Sequence, residues 1–93
     1  MNLTMYKEYS SEQGDRMYFL VEDLVRTGRA ELLHQLDHTN IYSLHEPAEV
    51  AVFSNWFFGG RELKSGYTCN VIGREEDVKK LEDMLNSIPQ EKK

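Results

Sequence analysis

The run EVAVFSNWFF, residues 49–58, constrains the fold more than any other stretch of the chain. It is dominated by β-branched and aromatic residues, which fit a pleated, half-buried strand. Alternation puts Val50, Val52, Ser54, Trp56 and Phe58 on one side and Ala51, Phe53, Asn55 and Phe57 on the other. Both sides are largely apolar, as in a central strand or one covered on both faces. Gly59-Gly60 follow directly and supply the positive φ that tight hairpin turns need. The return strand is Tyr67–Ile72, with Tyr67, Cys69 and Val71 on one face. Ser65-Gly66 reads as a second turn or a bulge.

Upstream, Leu3–Tyr9 alternates weakly and predicts a strand, and Ser10–Gly14 reads as a turn in which Ser11 caps the next element, or Asp15 just after it does. Asp15–Arg26 is amphipathic at helical spacing: Met17, Leu20, Val21, Leu24 and Val25 gather on one side. Phe19 falls on the polar side with Glu22 and Asp23 and is the one residue out of pattern. Gly28 suits a helix C-cap. Arg29–His38 predicts a second short helix with Leu32, Leu33 and Leu36 as its apolar side. The alternative is one long helix with Gly28 inside it, at a cost of ~1 kcal/mol. Ile41–His45 predicts a short strand ended by Glu46-Pro47. The last helix is marked by the stripe Val78, Leu81, Met84, Leu85 and Ile88, by acidic residues in its first turn, and by Pro89 after it.

The order β-α-α-(β)-β-β-α predicts an α+β fold. Three or four mainly antiparallel strands carry helices on one face in a two-layer sandwich. The strand–helix and hairpin–helix pieces resemble those of ferredoxin-like folds, an analogy of architecture that implies no function. Residues 1–89 are expected to form a single globular domain, with 90–93 as a frayed tail.

Sixteen acidic against eleven basic residues give a net charge of −5, and the basic residues are scattered. Direct binding to nucleic acid or anionic lipid needs a clustered basic surface, so neither is expected. An acidic surface suits a basic partner. Cys69 is the single cysteine, and MNLTMYKEYS holds no apolar core of signal-peptide length. Both features point to a reducing, cytoplasmic setting. No run approaches the roughly 18 apolar residues of a membrane span.

Four patterns hold residue types that chemistry could use. In HQLDH, His34 and His38 stand at i and i+4. On a helix both rings reach one metal ion, with Asp37 beside them and zinc or a similar divalent transition metal as the cofactor. The bland reading is two exposed histidines near a helix end. GGRELKS fails as a phosphate loop because Leu63 precedes Lys64 and a strand follows. Cys69 lies on an apolar strand face, where a lone cysteine behaves as a small hydrophobe. The carboxylate pairs sit on polar helix faces and read as solvated.

The first functional expectation is therefore a protein-interaction domain without catalytic activity, acting as an adaptor or inhibitor. Its partner surface would hold Phe53 and Phe57 on the uncovered sheet face, or Phe19 with Glu22 and Asp23. A homodimer through the open face is its simplest form. An inhibitor docking on a basic nucleic-acid-handling protein, as phage anti-defence proteins do, is a second form. The runner-up is a small-molecule or metal-binding regulatory domain using His34, Asp37 and His38.

Overall fold

The computed structural model describes residues 4–57 and 66–88. Strand β1 (Thr4–Tyr9) leads into helix α1 (Ser11–Arg26). Strands β2 (Ala30–Leu36), β3 (Thr39–Leu44), β4 (Val50–Phe57) and β5 (Gly66–Arg74) follow, then helix α2 (Glu75–Ser87). The strands form one five-stranded antiparallel sheet in the order β1-β5-β4-β3-β2. β4 is its middle strand, as its two apolar sides predict. The class is α+β, with one or two strands more than expected.

Residues 29–38 account for the difference. They were expected to be helical, and they form edge strand β2 instead. α1 is therefore the one helix of residues 15–38, and it ends where Gly28 predicts. Gly28 takes φ +80, its N–H donates to Val25 O at 3.1 Å, and the Arg29 N–H donates to Leu24 O at 2.8 Å. That paired closure satisfies the last carbonyls of the helix. The ferredoxin-like analogy does not hold. Such folds interleave two strand–helix–strand units, whereas here β2 to β5 make a continuous meander and α1 carries the chain from one sheet edge to the other. The start of α1 is also earlier than expected. Ser10 is its N-cap, so Ser11–Gly14 belong to the helix rather than to a turn. The Gly59-Gly60 turn and Ser65 lie outside the described residues.

The core forms between the helices and one face of the sheet. Tyr42, Val52 and Val71 stand in one cross-strand row, and Leu44, Val50 and Gly73 in the next. α1 adds Met17, Leu20, Val21 and Leu24, and α2 adds Val78, Leu81 and Leu85, to one buried cluster. Each such aliphatic side chain contributes roughly 1.5–3 kcal/mol on burial. That holds α2 in place, since 13 residues make a helix only marginally stable alone. Arg16 of α1 ties the two helices together by donating to Leu85 O at 3.1 Å and Ile88 O at 3.0 Å, at the C-terminal end of α2. Asp77, in the first turn of α2, is 3% exposed and accepts from Arg74 Nε at 2.8 Å. Its place on the polar face gave no hint of that burial.

Candidate functional site

The sheet has a second face, and neither helix packs on it. Tyr6, Ile72, Ala51, Ser43 and Glu31 form one row across the five strands. Glu8, Asn70, Phe53, Ile41 and His34 form the next. Tyr6 and Ile72 are exposed, and Phe53, Ile41 and Ala51 are half-buried. Strand alternation alone puts these residues there, because their neighbours Val50, Val52, Tyr42 and Val71 are committed to the core. Tyr6 adds a hydroxyl donating to Asn70 Oδ1 at 2.7 Å.

A second feature lies on the helix side, at the end of the sheet where the β2–β3 turn meets α1. A cleft of about 230 Å³ is lined by Tyr18, Gln35, Asp37, His38, Asn40, Ser54, Trp56 and Tyr67. Tyr18 of α1 and Tyr67 of β5 stack with ring centroids 3.7 Å apart and planes 3° from parallel. Phe19 meets Tyr18 edge-on at 5.2 Å. The Asp15 carboxylate accepts from the Tyr67 N–H at 2.9 Å and anchors the strand end that carries this ring. The His38 ring lies 5.6 Å from that of Trp56, and His38 O accepts from the Trp56 N–H at 2.8 Å.

The floor of the cleft is polar. Asn40 Nδ2 donates to the Tyr42 hydroxyl at 3.1 Å, and that hydroxyl donates to a Glu22 carboxylate oxygen. Burial first, and the hydrogen bond to Glu22 second, push the Tyr42 phenol pKa up. Burial, a hydrogen bond with Tyr67 and the Glu22 charge do the same to Tyr18. Both phenols therefore stay neutral. Ser54 is 2% exposed, and its hydroxyl has no hydrogen-bond partner among the described residues. Its closest polar neighbour is the Tyr42 hydroxyl, and the approach of the two hydroxyls lowers that phenol's pKa against the larger effects of burial and Glu22.

The residues singled out from sequence are scattered by this arrangement. His34 sits on β2 opposite Ile41, on the open face, whereas Asp37 and His38 form the two-residue β2–β3 turn and line the cleft. The helical i, i+4 geometry proposed for His34 and His38 does not exist. Among the described residues no three His, Cys, Asp or Glu side chains gather as a metal site. Phe19 is 62% exposed, as its place on the polar side of α1 predicts. Asp23 pairs with Arg26 at 2.7 Å, and Glu22 turns inward to Tyr42 instead of lining a partner surface. Phe53 lies on the open face as expected. Phe57 ends β4 opposite Gly66, and its side chain is outside the described residues. The Cys69 thiol is buried against Gly14 O at 3.5 Å, and burial pushes its pKa up to about 12, which keeps it a thiol at neutral pH.

Sequence reasoning missed Tyr18, Asn40 and Tyr67 as parts of one site, because the β2–β3 turn that gathers them was read as a helix end. Ser54 did carry a signal: it is the polar residue in the core-facing series Val50, Val52, Ser54, Trp56. No helix among the described residues is long and apolar enough to cross a membrane. Comparison with protein-family models, curated proteins and solved structures returns no match, so function is argued from this geometry alone.

Proposed function

We propose that the chain is a small acidic protein-interaction domain without catalytic activity, an adaptor or inhibitor, whose open sheet face pairs with a second copy of the chain. One observation supports this reading above others. Tyr6, Ile41, Ala51, Phe53 and Ile72 occupy adjoining positions on a sheet face that neither helix packs against. Contiguous apolar surface of this kind marks an interaction site.

The charge layout is compatible with self-pairing. The acidic residues of the face, Glu8 and Glu31, sit on edge strands β1 and β2, so a two-fold contact centred on Phe53 keeps like charges at its rim. The face is small. Five strands about 4.8 Å apart, from 6 to 9 residues long, span roughly 20 by 20–30 Å. That is below the roughly 800 Å² per partner of a stable interface, so the pairing is weak and concentration-dependent.

Sedimentation velocity over a wide concentration range tests this. The wild type should pass from monomer to dimer. Phe53→Asp should stay monomeric while keeping its circular dichroism spectrum, and Phe19→Asp should dimerise like the wild type. A wild type that is monomeric throughout, or a folded Phe53→Asp that still dimerises, defeats the proposal.

A further inference from the structure

The cleft between α1 and the β2–β3 turn carries an inference independent of the sheet face. We infer that it binds an alkylguanidinium group, presented by an arginine side chain of a basic partner protein.

Three observations converge on a flat cation that donates hydrogen bonds. First, the lining supplies aromatic rings: the stacked pair Tyr18 and Tyr67, and Trp56, the cross-strand neighbour of Tyr67. Ring faces attract cations, and a guanidinium stacks on them better than an ammonium does. Second, the local charge is negative. Asp37 lines the cleft, Glu22 lies behind Asn40 and Tyr42, and no Lys or Arg among the described residues lines it. Third, acceptors are left over. Asn40 uses its amide nitrogen on Tyr42, and its side-chain carbonyl oxygen accepts no hydrogen bond among the described residues. The Ser54 hydroxyl is buried in the lining and, among the described residues, has only the approach of the Tyr42 hydroxyl and no hydrogen bond of good geometry. A buried hydroxyl without a partner is destabilising, and an incoming N–H donor relieves that. The planar fork of a guanidinium reaches a carboxylate and a hydroxyl at once.

A phosphate or carboxylate ligand meets the opposite conditions here. It would find Asp37 and Glu22 and, among the described residues, no cation in the lining. The protein's net charge of −5 acts in the same direction, drawing basic partners toward the site.

The test uses the full chain with N-acetyl-arginine amide, its neutral isostere N-acetyl-citrulline amide, and agmatine as a free alkylguanidinium. Trp56 is the single tryptophan, so its fluorescence reports the cleft directly, and amide chemical shifts locate the contact. The arginine amide should bind saturably and about tenfold more tightly than the citrulline amide, the discrimination one desolvated cation–π contact supplies. Shifts should centre on residues 37–40 and 54–56. Asp37→Asn, in an exposed turn, should remove most of that discrimination without changing the fold. Ser54→Ala should weaken both amides.

Equal binding of the two amides, or no saturable response to either, overturns the inference. Binding of agmatine without the arginine amide overturns a partner's side chain as the source. Replacing Arg61 and Lys64 together by Gln gives the last check. If only that variant binds the probe, the cation comes from this chain itself and the partner is overturned.

Discussion

At Gly14, a single hydrogen in place of a side chain lets two backbones meet. A Cβ there would stand 2.0 Å from Tyr67 O and 2.8 Å from Tyr9 O. Carbonyl oxygens of a strand cannot swing aside as a long side chain can, so Gly14→Ala has to push α1 off β5. The expected loss is about 1–3 kcal/mol, read as a lower urea midpoint. Trp56 emission should shift in the native baseline as well, because Tyr67 shapes the cleft that Trp56 lines. Nothing in SSEQGD marks this contact, since the glycine there reads as a turn residue. Ser54 is the opposite case. Its place in a core-facing series was visible, and the unpartnered hydroxyl follows from it. Glu22 and Asp77 lie between these. Each has the spacing of a solvated helix face, yet one receives the Tyr42 hydroxyl and the other is sealed under Arg74.

Among the elements, α1 and α2 were legible because a helix buries one stripe, and that stripe repeats in the sequence. β2 was not. Leu32, Leu33 and Leu36 have helical spacing, and Leu, Glu and Gln favour helices. Two facts reverse the reading. A register shift between Leu32 and His34 breaks the alternation that would have signalled a strand. The hairpin also turns on Asp37-His38 with neither residue at positive φ, so the usual Asn-Gly or Asp-Gly marker is missing. Leu33 is 57% exposed, so no core face rewards these leucines, and backbone pairing with β3 prevails. The boundary between α1 and β2 rests on Gly28. A Cβ there would touch nothing within 4 Å, so the penalty of Gly28→Ala is purely conformational. Left-handed backbone disfavours alanine by about 1–2 kcal/mol. At about 4–8 °C per kcal/mol for a domain of this size, calorimetry should show a clear fall in Tm.

For the molecule as a whole, the buried ionisable groups set an alkaline limit. Burial raises Cys69 from 9.0 to about 12, and burial with the Glu82 charge raises Tyr9 from 10.0 to about 12. In both cases the folded state favours the neutral form. The associated stability is complete below pH 9 and falls as pH rises from 9 toward 12, because the unfolded chain gives up these protons first. Urea midpoints measured from pH 7 to 11 should therefore decline above about pH 9, and Cys69→Ala should flatten the decline. By itself, the sequence determined the α+β class, the central place of residues 50–57, both helices with their buried stripes, and the sheet face on which Phe53 lies. Each follows from local periodicity, where one stretch of chain shows which side it must bury. Only the tertiary structure decided that residues 30–36 are an edge strand, that Asp77 and Glu22 turn inward, and that Tyr18, Asp37, Ser54 and Tyr67 line one cleft. Those outcomes depend on which distant segment supplies the partner, and periodicity carries no record of that.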